Sequence, residues 1–313
     1  MSYLGRRILL FLVTLLLITA TTFLITNVLP GDAAIMILGT RSNPVTLAAL
    51  RVKLGLDQPL VAQYWHWISH LLHGNLGDSL VFKEPIAELL GQKIVASSLL
   101  VVMSLLLALI MAVPLGVWSA LHRERWQDVA GSGLALAGIS LPDFFWGIVL
   151  ILLFARWLDW LPSSGYASPL DNFPAALKYS LLPAITLALS LMAHLMRMTR
   201  SAMLEVLSQD FIRVCRAKGL GQGAIVVRHA LRNAITPVLT VAGLQIGYLF
   251  GSIVVVESLF NYTGMGWLTY QALLNRDLPL IQATVLMIAA VVMLTNLAVD
   301  VIYTIVDPRV RLS

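Results

Sequence analysis

Six long stretches of this chain carry almost only apolar side chains, with shorter polar stretches between them. They are Ile8–Leu29, Ile94–Leu121, Val129–Ala155, Ser180–Met196, Ala234–Val256 and Ile281–Val306. Each is near or above the roughly 20 residues with which a helix crosses bilayer hydrocarbon. The runs are continuous, whereas a membrane β-barrel would show alternating segments of about 10 residues. The expected fold is therefore all-α and polytopic, with about six transmembrane helices. Pro114, Pro142 and Pro183 fall inside runs. Proline is tolerated there when neighbours satisfy the freed carbonyl, and it marks a candidate kink. The first run has a rival reading as a cleaved signal peptide, with a shorter apolar core and a small-residue cleavage site. No such site is evident before Pro30-Gly31-Asp32, so a retained anchor is expected.

Two of the intervening stretches carry patterns of their own. Pro30–Lys93 is too long for a plain connection and contains helical-looking pieces at Val45–Leu54 and Leu60–Leu72. The second sets Trp65, Trp67, Ile68, Leu71 and Leu72 among polar residues. That suits a helix lying at a membrane interface, used either for packing or for docking a partner. Asn75-Leu76-Gly77-Asp78-Ser79 reads as a turn. Arg197–Pro237 is too polar to span. Ser208 or Asp210 is placed to cap a short helix through Cys215–Lys218, and Gly219 to end it. A second piece, Gly223–Asn233, leads into the fifth run at Pro237. Helix–glycine–helix at a membrane face reads as a rigid docking knob; an ordinary basic loop is the alternative.

Composition changes the picture little. The 313 residues are 58% hydrophobic and 12% charged, with a mean hydropathy of +0.85, so lipid is the expected solvent. The net charge of +5 does not point to nucleic acid, because the basic residues lie between apolar runs and form no separate domain. They do set an orientation. With the amino terminus inside, thirteen of the 21 Lys and Arg fall in cytoplasmic segments: Arg6, Arg7, Arg123, Arg125, Arg197, Arg200, Arg213, Arg216, Lys218, Arg228, Arg232, Arg309 and Arg311. Most of the remainder lie in the long Pro30–Lys93 segment, which counts little in the positive-inside rule. Both termini are expected in the cytoplasm. The single cysteine, Cys215, excludes an intramolecular disulfide and a cysteine-cluster metal site.

Candidate chemistry is sparse. The chain has no G-x-x-x-x-G-K-[ST], no H-E-x-x-H and no G-x-S-x-G. Asp143, in Ser140-Leu141-Pro142-Asp143-Phe144-Phe145-Trp146-Gly147, is a carboxylate at membrane depth. It is either a residue of a translocation path, with Phe144 and Phe145 beside it, or a carboxylate that caps or hydrogen-bonds a helix broken at Pro142. Glu257 is a second path or gate candidate. For Glu257 and Asp300, packing or interface placement is the competing reading. His194, near several methionines, reads as a helix end rather than a soft-metal path. His66, His70 and His73 share one helical face. That face is either a metal site or part of an interfacial helix, and no metal is expected. A self-contained transporter would show inverted repeats and several intramembrane charges. An intramembrane hydrolase needs a nucleophile paired with a base. Neither pattern is visible.

Asp210-Phe211-Ile212-Arg213-Val214-Cys215-Arg216-Ala217-Lys218-Gly219-Leu220, followed by Arg228-His229-Ala230-Leu231-Arg232-Asn233-Ala234-Ile235-Thr236-Pro237, closely resembles the coupling-loop signature of bacterial ABC-importer permeases of the dipeptide/oligopeptide/nickel type. Leu29-Pro30-Gly31-Asp32, Leu54-Gly55-Leu56-Asp57-Gln58-Pro59-Leu60, Gly74-Asn75-Leu76-Gly77-Asp78-Ser79, Glu257-Ser258-Leu259-Phe260, Arg276-Asp277-Leu278-Pro279 and Asp307-Pro308-Arg309 extend the resemblance over the whole chain.

The resemblance implies a type I ABC-importer permease in the bacterial inner membrane. Its N-terminal anchor and extracytoplasmic segment would be residues 1–93, and its five-helix core residues 94–313, with a coupling loop at about 197–236. ATPase-coupling residues would be Arg213, Arg216, Ala217, Lys218, Gly219, Leu220, Arg228, Asn233 and Pro237. It further implies a second permease, one or two cytoplasmic ATPases that carry ATP and magnesium, and an extracytoplasmic solute-binding protein. The expected cargo is short peptides, with nickel or a metal chelate as the alternative. Two positions depart from the pattern. Arg213-Val214-Cys215 stands where the wider superfamily often has Glu-Ala-Ala, and Thr263 precedes Gly264-Met265-Gly266 where proline is common.

Overall fold

The computed structural model describes residues 3–28, 43–53 and 57–306. The expectations on Leu29-Pro30-Gly31-Asp32, Leu54-Gly55-Leu56, Asp307-Pro308-Arg309 and Arg311 lie outside these residues, as does the side chain of Asp300. The described helices are α1 (Tyr3–Val28), α2 (Pro44–Lys53), α3 (Leu60–Leu72), α4 (Ile86–Leu121), α5 (Trp126–Ser140), α6 (Asp143–Leu150), α7 (Phe173–Leu207), α8 (Asp210–Ala217), α9 (Gln222–Leu259), α10 (Met265–Leu274) and α11 (Leu278–Val306). Among the described residues there is no strand, only an isolated bridge between Asp78 and Pro85.

Five of the helices are long and apolar enough to cross a membrane, and the bent pair formed by α5 and α6 brings the number to six. The third apolar run is thus not one straight helix. It breaks at Leu141-Pro142, and Trp126–Ser140 meets Asp143–Trp157 at 105°. Leu141 is extended, with φ −103° and ψ 136°, the conformation favoured before proline. Pro114, Pro183 and Pro237 remain inside helices. The fourth run is underestimated by the pattern: α7 has 35 residues, roughly 52 Å at 1.5 Å per residue, far more than the roughly 30 Å of hydrocarbon.

The chain forms two compact units. One comprises the residues up to Val95 together with Gly264–Met293; the other comprises Ala96–Thr263 and the chain from Leu294 onward. The first is built on Ile86, Leu89 and Leu90 of α4 packed with Met265, Leu268 and Ala272 of α10 and Leu280 and Ile281 of α11. Asp277 is fully buried there and accepts hydrogen bonds from Ser79 Oγ (2.5 Å) and the Val81 and Leu280 amides. It fastens the turn around Ser79 to the start of α11. Tyr64 and Trp67 of α3 pack against Phe23 of α1, so part of the aromatic face holds α3 to the first helix. Trp65 and Leu72 are exposed.

In the second unit α7 is central, with small or apolar residues buried along most of its length. Ala108, Ala112, Gly116 and Ala120 form a buried small-residue row on α4, while Val102, Leu106 and Ile110 are exposed. Such rows let membrane helices approach closely. A Cβ on Gly116 would stand 2.6 Å from Thr199 Cβ, and one on Gly138 of α5 would stand 3.0 Å from Ala193 Cβ, both on α7.

Candidate functional site

The knob expected between the fourth and fifth runs forms, with two corrections. Neither Ser208 nor Asp210 caps it. Ser208 closes α7, and Gln209 precedes α8 without a side-chain cap. Nor is Gly223–Asn233 a separate piece: it is the opening of α9, continuous to Leu259. The helix is wound with π-type bonds over Ile225–Ala230 before it resumes α geometry.

The end of α8 follows from its sequence. The Gly219 amide bonds to the Arg216 carbonyl (2.9 Å) and the Leu220 amide to the Cys215 carbonyl (3.3 Å). Gly219 has φ +73°. This is the paired-bond helix ending that calls for a left-handed residue, which glycine adopts without a side-chain penalty. Below it, Ile212 is fully buried in a small core with Ala202, Met203 and Val206 of α7 and Ile225, Val226 and Ala230 of α9. Phe211 and Cys215 pack around that core. The helix is therefore seated on two long helices through one face.

Its other face is open. Arg213, Arg216, Ala217, Lys218, Gly219, Leu220 and Arg228 are exposed, with Val214 and Val227 among them. Arg213 lies 3.2 Å from Asp210 in an exposed ion pair, worth at most about 1 kcal/mol. Asn233 is exposed as well, and Pro237 is half-buried. Asn233 donates to the His229 carbonyl (2.8 Å) further along α9, and Pro237 is inside that helix.

The intramembrane candidates separate. Asp143 opens α6 but makes no cap bond; its carboxylate accepts a hydrogen bond from Ser190 Oγ of α7. The helix is broken at Pro142, yet the acid ties it to a neighbour instead of closing its end. Phe144 and Phe145 beside it are exposed. Gly147 lies against α9, where a Cβ would come within 2.5 Å of Leu259 Cδ2. Glu257 is fully buried and accepts from Ser97 Oγ of α4 at 2.6 Å. Close by in the chain, the Tyr262 hydroxyl donates to the Ala96 carbonyl (3.1 Å) and lies 3.1 Å from Ser180 Oγ. Tyr166 meets the Tyr262 ring edge-on at 5.1 Å. Burial pushes the Tyr262 phenol well above its ordinary range, and that of Tyr166 upward too, so both stay protonated donors. Among the described residues no three His, Cys, Asp or Glu side chains are grouped to hold a metal ion; the His73 ring nitrogen Nδ1 lies 2.7 Å from the Ser69 carbonyl.

One site escaped the sequence reading. Asp128, one residue before the third run as drawn, is 5% exposed. Arg200 of α7 grips it with Nε to Oδ1 at 2.6 Å and Nη2 to Oδ2 at 2.7 Å. Ser119 Oγ of α4 (2.6 Å) and the Glu124 amide (3.0 Å) complete the set. A basic residue near a run's end reads as part of the positive-inside pattern, and nothing local joins positions 72 residues apart.

A bundle of long apolar helices around α7, with a short basic helix seated on it between two of them, is the architecture of a membrane transport subunit. Residues 112–312 match the family described as binding-protein-dependent transport system inner membrane component, and residues 1–94 match its N-terminal companion. The chain belongs to this family: it is a permease subunit of an ABC importer and a multi-pass protein of the inner membrane. Such permeases work with ATPase and substrate-binding partners. The chain is 40% identical over 297 residues to a Brucella abortus (strain 2308) protein named as a peptide transport system permease, covering 95% of each. It is 38% identical over 311 residues to the glutathione transport system permease protein GsiC of Salmonella typhimurium (strain LT2), covering 99% of each. In fold it resembles a chain of the MetNI methionine ABC transporter in an inward-facing conformation, with TM-score 0.59 and 18% identity, covering 70% of this chain and 96% of that one.

Proposed function

We propose that this chain forms half of the translocation pathway of an importer for short peptides. It pairs with a second permease, receives cargo from an extracytoplasmic binding protein, and is driven by one or two ATPases that hold ATP and magnesium on the cytoplasmic side. Residues 1–93 serve as anchor and outer segment, and residues 94–313 as the translocation core; the separate family matches to 1–94 and 112–312 support that division. Peptide cargo is supported by the names of the relatives in Brucella and Salmonella. Uptake of di- to hexapeptides by the reconstituted complex, against nickel as comparison, tests it; transport of nickel without peptide overturns it.

The observation that carries the mechanism is α8, seated by Ile212 and ended at Gly219, with an exposed basic and apolar face. That face docks in a groove of an ATPase, and closure of the ATPases moves the helices that α8 rests on. Both termini are then cytoplasmic. An impermeant thiol reagent should leave Cys215 unlabelled in sealed right-side-out vesicles, and labelling there would invert the topology. Asp143, Phe144 and Phe145 are assigned to the pathway wall, supported by the break at Pro142 that turns them out of the straight run. Glu257 is assigned to packing.

Gly219→Val tests the coupling role. A Cβ at this position meets nothing within 4 Å, so the cost is backbone strain of about 1–2 kcal/mol. Membrane levels should stay near normal, while ATPase copurification weakens and substrate-stimulated hydrolysis is lost. Retention of both uptake and stimulated hydrolysis would sink the coupling role.

A further inference from the structure

The fork between Arg200 and Asp128 lies where three helices meet. Ser119 is buried in the last turn of α4, Glu124 belongs to the link that follows, Asp128 sits in the first turn of α5, and Arg200 is on α7. Both carboxylate oxygens are satisfied twice: Oδ1 by Arg200 Nε and Ser119, Oδ2 by Arg200 Nη2 and the Glu124 amide. A planar guanidinium held bidentate sets an angle as well as a distance. Apolar packing by itself is non-directional.

The same three helices touch almost backbone to backbone. A Cβ on Gly116 would stand 2.8 Å from the Met196 carbonyl, and one on Gly138 would stand 3.3 Å from the Leu189 carbonyl. Gly131 meets the Met196 side chain. One turn past Arg200, α7 carries Ala202, Met203 and Val206 into the core that seats Ile212 of α8. Thus α8 rests on α7 within about two turns of the place where α7 is pinned to α4 and α5.

The geometry points to Asp128 and Arg200 as positioning residues for coupling: they lock the adjoining ends of α4, α5 and α7 into one body, so that displacement of α8 moves all three helices together. This rests on the reading of α8 as the ATPase-docking element. Without the fork, α7 can turn or slide under load while α4 and α5 stay behind, and ATP is hydrolysed without moving cargo. Neither residue touches cargo or nucleotide in this scheme.

The test uses the full complex with its ATPases and binding protein, reconstituted in lipid vesicles, reading substrate transported per ATP hydrolysed. Arg200→Lys keeps the charge and loses the fork; Asp128→Asn keeps the shape and loses the charge. Both should retain ATPase copurification and hydrolysis, while transport per ATP falls by about fivefold or more. A purely structural role would lower complex yield and leave that ratio unchanged, and this result overturns the proposal, as does an unchanged ratio at normal yield. A second arm does not depend on weakening the clamp. In a Cys215→Ser background, Gly138→Cys with Ala193→Cys places two Cβ atoms near the roughly 3.5–4.5 Å that a disulfide spans, because the added Cβ lies 3.0 Å from Ala193 Cβ. If α5 and α7 move as one body, oxidised and reduced forms transport equally. Loss of uptake on oxidation, restored by dithiothreitol, shows that the two helices shift against each other and overturns the proposal. Failure of the docking reading is seen separately, as stimulated hydrolysis that survives Gly219→Val.

Discussion

The broken third span carries two aspartates in matching positions, each in the first turn of one half and each reaching α7. Asp128 meets a guanidinium, a hydroxyl and an amide and is almost fully buried. Asp143 meets Ser190 and is partly exposed. Both contacts attach a half-helix to the same central helix, but they have different stiffness. A charged fork with four hydrogen bonds has one good geometry, whereas a serine hydroxyl rotates to follow its acceptor. Through this difference α5 belongs to a fixed body at the basic end of the bundle. Across the turn at Leu141-Pro142, α6 is held through Ser190 and the close fit of Gly147 against Leu259, and presents Phe144 and Phe145.

Three substitutions probe the comparison. Arg200→Met should have the largest effect. It leaves the Asp128 carboxylate buried without its cation, a change that costs about 3–5 kcal/mol when a buried pair loses one member. The melting temperature of the detergent-solubilised complex should fall well below wild type, with reduced accumulation in the membrane. If Arg200→Met melts no lower than Ser190→Ala, the two aspartates are held equally and the contrast collapses.

Ser190→Ala should do less. It removes one hydrogen bond to a carboxylate that water or a neighbour can still reach, at a cost of about 0.5–1.5 kcal/mol. The same melt should show a small decrease at normal complex yield.

Asp143→Asn should have the smallest effect on stability, since the amide oxygen still accepts from Ser190. Assembly should be normal and peptide uptake changed only moderately. Complete loss of uptake at normal yield would mean that the charge itself meets cargo, and Asp143 would then be part of a binding site rather than of the wall.

Apolar run length and local turn chemistry were legible from the residues alone. Six runs, their helical character, an extra helix with Trp65 and Trp67, and a knob ended by Gly219 all follow from side-chain solvation and from the backbone freedom of glycine. These properties depend on neighbours within a turn or two, so a linear reading reaches them. The motif order from Asp210 to Pro237 carried the family in the same way.

The continuity of α9 from Gln222 was hidden by the polar residues Arg228 to Asn233 and by Pro237, whereas Ile225, Val226 and Ala230 are drawn into the core around Ile212. The 105° break at Pro142 was one of three in-run proline possibilities, and Pro114 and Pro183 stay inside their helices. The full length of α7 was hidden because its last turns are polar and are stabilised by α8 and α9 rather than by lipid. The joint between Asp128 and Arg200 needs three helices at once, brought together by the small residues Gly116, Gly131 and Gly138. Lipid accepts any apolar face equally, so hydropathy determines which segments enter the membrane. Which faces meet, and which acid finds which base, is decided only by close packing and by the cost of leaving a charge unpaired at depth.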